Sequence, residues 1–99
     1  MSRNLHPQKG ARYLLERMSE SADGGARATY RAQIFTPDAV FTATAQLAED
    51  GTFELPATGA PAELDRQLAS LTKLIARDAA KRRADGLPTW PLQILRWRE

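Results

Sequence analysis

The chain has no cysteine. Disulfides, thiolate metal ligands and cysteine nucleophiles are therefore excluded, and the chain suits a reducing compartment, so a cytoplasmic location is expected. Histidine is almost as scarce: the one imidazole, His6, stands near the start of the chain, and one histidine cannot anchor zinc by itself. Long apolar runs are missing, which excludes a membrane-spanning helix. The polar segment 1–10 also lacks the apolar stretch of a signal peptide. There is no P-loop and no G-x-G-x-x-G, and Ser19, Ser21 and Ser70 lack the G-x-S-x-G context of a nucleophile elbow. The adjacent carboxylates Glu49 and Asp50 precede Gly51 and read as turn residues rather than as an acid–base pair. No cofactor, no metal and no enzymatic activity are expected.

Large apolar side chains are also few. Of the 99 residues 42% are apolar, but 17 of these are alanine, which leaves 25 larger ones. The chain suits one domain, residues 11–99, behind a disordered leader over 1–10. Its core must rest on a handful of side chains, among them Tyr30, Phe41, Phe53, Leu68, Ile75 and the two tryptophans.

The net charge is +2, with 11 of the 14 cations arginine. Arginine together with abundant alanine is what a GC-rich genome writes, so the count alone says little about phosphate binding. The distribution says more: residues 1–35 carry +3, residues 36–71 carry −5, and residues 72–99 carry +4.

Patterning predicts an α+β domain, an antiparallel β-meander of three to four strands with one long helix across one face. Residues 26–35 alternate Ala28, Tyr30, Ala32 and Ile34 with Arg27, Thr29, Arg31 and Gln33, the period of a sheet with one wet face. Thr36-Pro37-Asp38 is a turn, and residues 39–48 repeat the alternation with Phe41, Ala43, Ala45 and Leu47 on one face. Glu49-Asp50-Gly51 turns the chain into a short strand over 52–55, which Pro56 ends. Residues 12–18 suit either a strand or a short helix. A strand is favoured because the glycine-containing stretch 20–25 reads as a hairpin loop.

From Pro61 to Asp85 the period becomes helical. Leu64, Leu68, Leu71, Ile75 and Ala79 form one narrow stripe, Glu63 and Asp65 open the helix, and Lys81, Arg82 and Arg83 close it, each matching the dipole. Gly86 and Pro88 stop it. The tail over 87–99 then holds Trp90, Leu92, Ile94, Leu95 and Trp97, too much apolar surface to leave in water. It must dock on the domain or on a partner.

Two candidate sites follow. The tail, through Trp90, Arg96, Trp97 and Arg98, combines the residue types that dominate protein interfaces, and Leu74 lies off the helix stripe as a landing place. This predicts a module that binds another protein or self-associates. The alternative is weak nucleic-acid binding, through Arg66, Lys73, Arg77 and Lys81 on the helix face opposite the core and through Arg82 and Arg83 at its end. A solvated helix face explains the same cations, and the outer sheet face offers no aromatic pair for stacking bases.

Overall fold

The structure, a computed structural model, describes residues 6–22 and 25–98. Residues 1–5 of the leader, Asp23 and Gly24 of the expected hairpin loop, and Glu99 lie outside the described residues.

The chain folds as β1 (Ala11–Glu20), β2 (Arg27–Phe35), β3 (Val40–Ala48), β4 (Phe53–Glu54), α1 (Ala62–Ala84) and β5 (Gln93–Arg98). The strands form one antiparallel sheet in the order β4-β3-β2-β1-β5. The α+β class and the single helix on one face are as expected, and residues 12–18 are strand. The fifth strand is new: the tail docks by pairing with β1 rather than by packing on the helix. The expected last strand over 52–55 shrinks to two residues.

One face of the sheet carries Tyr13, Leu15, Ala28, Tyr30, Ala32, Ile34, Ala45 and Leu47, all buried. Against them α1 buries Leu68, Thr72, Ile75, Ala76 and Ala79. Alanines at 28, 32 and 45 keep that face shallow, so the helix backbone lies close to the sheet. The helix has no side-chain N-cap hydrogen bond. Instead Asp65 reaches back to accept from the Thr58 hydroxyl at 2.6 Å, tying the first turn to the linker. At the other end Gly86 has φ +77°, and the Leu87 and Gly86 amides donate to the Arg82 and Arg83 carbonyls. That is a Schellman stop, which a residue bearing a Cβ would strain.

Trp90 seals the core below this stop. It is wholly buried, and its ring N–H donates to the Gly25 carbonyl at 2.6 Å. Around it, Arg17 donates to the Trp90 carbonyl, the Tyr30 hydroxyl to the Pro91 carbonyl, and the Arg17 amide to the Leu92 carbonyl. These bonds hand the chain from the helix into β5.

The far face is mostly polar, with Thr29 bonded to Gln46, Gln33 to Thr42, and Arg31 paired with Glu16 at 2.6 Å. One corner differs. His6 meets the Phe35 ring edge-on and donates through Nδ1 to the Thr36 carbonyl, while the Trp97 ring N–H donates to the Lys9 carbonyl. Pro7, between them in sequence, is buried, as are Leu14 and Phe35. Residues 6–10, expected within a disordered leader, thus have a defined place. The physical reason is that Leu14 and Phe35 point away from α1 and need cover of their own.

Candidate protein-interaction site

A strand spacing of about 4.8 Å puts the outer strands of a five-stranded sheet about 19 Å apart. One helix, about 10 Å across, cannot cover that width. Here α1 lies over β2, β3 and β4, and β5 is left at the uncovered side. The outcome is a groove of about 300 Å³ between α1 and β5, lined by Leu71, Leu74, Ile75, Asp78, Ile94 and Arg96 among others.

The structure brings Leu74 and Arg96 together at this groove, Leu74 on the helix wall and Arg96 on the strand wall. Leu74 is 54% exposed and Leu92, just before β5, is 67% exposed. Arg98 is exposed on the same face as Arg96; burial first, and then the Glu63 charge, raise the Tyr13 hydroxyl, while the Arg98 charge opposes the rise. Trp97 is 48% exposed but stands on the opposite face of β5, over the leader. Trp90, expected both in the core and among the contact residues, is interior and not a contact. It holds the site in place from beneath and offers no surface, because its indole fills the end of the core.

The backbone of β5 carries a second feature that residue types alone do not show. The β1–β5 register pairs Ala11 with Arg98, Tyr13 with Arg96 and Leu15 with Ile94, and the Arg17 amide donates to the Leu92 carbonyl. Antiparallel pairs alternate between hydrogen-bonded and non-bonded. Leu92, Ile94, Arg96 and Arg98 therefore bond inward to β1, and Gln93, Leu95 and Trp97 aim their N–H and C=O groups outward. One outward carbonyl, that of Leu95, accepts from the Arg96 guanidinium at 2.9 Å. At the opposite edge β4 has only two residues and pairs with β3 at Gln46 and Leu47 alone.

The basic residues of the helix divide. Arg66, Lys73, Arg77 and Lys81 are exposed. Arg82 donates to the Pro88 carbonyl at 2.7 Å, and Arg83 lies 2.9 Å from Glu49 and bonds Thr89. The two arginines at the helix end thus hold loops, and the stripe is shorter than its sequence suggests. Among the described residues no group of three or more His, Asp or Glu side chains could hold a metal ion, and no helix is long and apolar enough to cross a membrane.

Sequence reasoning missed the strand character of residues 93–98 and hence the edge. The available signal was the cluster of Ile94, Leu95 and Trp97, good strand formers that follow Pro91. No protein-family model matches the chain, and neither a curated protein nor a solved structure matches it.

Proposed function

We propose that the chain is a non-enzymatic interaction module that binds another protein or a second copy of itself through β5 and the C-terminal half of α1. The observation that supports this is a six-residue edge strand beside a flanking apolar groove. Leu74, Leu92, Arg96, Trp97 and Arg98 supply the contact, a mix of exposed apolar, tryptophan and arginine groups typical of interface anchors. Strand addition gives such a site its affinity through main-chain bonds, and the groove gives it selectivity. The lack of cysteine is what supports a cytoplasmic setting.

The test uses the intact chain and a Leu74→Glu/Leu92→Glu variant, since removing the tail would remove Trp90 from the core. Both are measured for mass in solution across a concentration series and for retention of proteins from an extract of the source cells. Self-association or retention that the variant loses supports the reading. Equal behaviour of the two proteins in both assays overturns it.

Exposed Arg66, Lys73, Arg77 and Lys81 on one helical face support a second reading, weak nucleic-acid binding. A titration with short DNA and RNA at two salt concentrations tests it, since counterion release makes such binding fall steeply with salt. No binding at the lower salt removes this reading.

A further inference from the structure

The outward groups of β5 form a pattern that is symmetric about one residue. We propose that the occupant of this edge is a second copy of the chain, paired antiparallel β5 to β5 with Leu95 on the two-fold axis. The inference rests on the interaction reading above and names its partner.

The register follows from which backbone groups are unpaired. In a two-fold antiparallel pair, an outward-facing residue must oppose another outward-facing residue. Among the described residues of β5, Gln93, Leu95 and Trp97 face outward. An axis through Ile94 or through Arg96 pairs only two of these three residues with one another, and the latter also sets Arg96 directly against its symmetry mate. An axis through Leu95 pairs all three: Leu95 with its own copy, and Gln93 with Trp97 twice over. All outward N–H and C=O groups of the strand are then used.

Side chains agree with that register. On the far face Leu95 meets Leu95 of the second copy, and Trp97 lies over Gln93. On the helix side Arg96 opposes Ile94 and Arg98 opposes Leu92, so no arginine directly opposes an arginine. The aliphatic stem of Arg96 then covers Ile94 of the second copy at the margin of a groove whose helix wall carries Asp78. This gives the arginine an opposite charge to approach. Arg96 now donates to the Leu95 carbonyl; in the pair the Leu95 amide of the second copy takes that acceptor, and the exposed guanidinium returns to water. A six-residue edge makes a small interface, so the dimer is weak and depends on concentration.

Position 95 is the one that opposes itself, and the experiment uses this. Sedimentation equilibrium of the intact chain, from about 1 µM to about 1 mM, is expected to show mass rising from 11.0 kDa toward twice that value. Leu95→Glu and Leu95→Lys are each expected to lose at least about tenfold in association, because like charges then meet across the axis. Mixed in equal amounts, they are expected to recover a one-to-one heterodimer. A measurement on the unaltered chain guards against misfolded variants. Amide exchange at Gln93, Leu95 and Trp97 is expected to slow with rising concentration, while Ile94 and Arg96 stay protected throughout. A mass fixed at 11.0 kDa up to about 1 mM, association without rescue by the mixed variants, or no change at the odd-numbered amides overturns the proposal. A chain that stays monomeric yet retains a foreign protein lost by Leu74→Glu/Leu92→Glu refutes the dimer and leaves the interaction module standing.

Discussion

Replacing Trp90 by phenylalanine tests the joint on which the site depends. The indole is wholly buried, and its N–H donates to the Gly25 carbonyl, itself in a buried residue with φ +80°. Phenylalanine keeps most of the apolar ring and removes that donor. A buried acceptor left without a partner costs about 1–3 kcal/mol. The smaller ring leaves a void that adds about 1 kcal/mol. The sum is about 3 kcal/mol, against a total stability of about 5–15 kcal/mol for a chain of this size. The midpoint of thermal unfolding should fall by at least about 12 °C. Urea unfolding followed by far-ultraviolet circular dichroism measures the loss, and Trp97 remains as an independent fluorescent reporter. Amides of β5 should also exchange faster than those of β2, because Trp90 and its neighbours anchor the start of β5. A loss below about 0.5 kcal/mol, the range of ordinary surface substitutions, refutes the reasoning and with it the role of the indole as anchor of the edge strand.

Thr72 is buried and its hydroxyl bonds only the Leu68 carbonyl of its own helix, at 2.8 Å. Thr72→Val keeps the shape and removes a redundant bond, so stability should change by less than about 1 kcal/mol, in the stabilising direction; a marked loss in urea unfolding contradicts this. Burial pushes the Tyr30 hydroxyl well above its ordinary value, and burial, with Glu63 adding and Arg98 opposing, raises Tyr13. Both are protonated in the folded chain where the unfolded chain has begun to ionise. Stability is therefore intact below about pH 10 and falls as pH rises beyond it, by at most about 1.4 kcal/mol per pH unit for each tyrosine. Tyrosinate absorbance should lag in the folded protein, and ordinary titration of both rings would contradict the burial. The Asp50 carboxylate is held below its usual range by the Thr52 hydroxyl, then by the Thr52 amide. Thr52→Val should raise it, as followed by carboxyl chemical shifts against pH.

The legible parts of the fold were those with one dry and one wet face. In β2 the alternation of Tyr30 and Ile34 with Arg31 and Gln33 states which side meets the helix, and α1 announces itself through Leu64, Leu68, Leu71 and Ile75. β1 was ambiguous because both its faces are covered. Tyr13 and Leu15 pack under α1, while Leu14 is buried on the face where the leader also lies. Apolar residues then occur consecutively, and the period that separates strand from helix disappears. Leu74 was legible as a candidate because it lies off the helix stripe, and Arg96 because arginine beside tryptophan marks interfaces. Trp90 was misplaced among the contacts, since composition gives no sign of which of two tryptophans finds the core.

In β5 the difficulty is the reverse. Ile94 is half-buried at the rim of the core, while Arg96 and Arg98, on the same side of the strand, are exposed. A face that begins under cover and ends in water carries no alternation, and the reason is the width of the sheet against the width of the helix. Five strands under one helix must leave a margin, and this margin falls on the last strand added. The same mismatch explains both why residues 93–98 lack the alternation of a strand, leaving residue type as their one signal, and why they carry unpaired backbone beside an apolar groove. β5 runs for six residues, and its outward N–H and C=O groups stand beside that groove. An unpaired six-residue edge beside an apolar groove is the feature that an interaction surface explains and a purely structural strand does not.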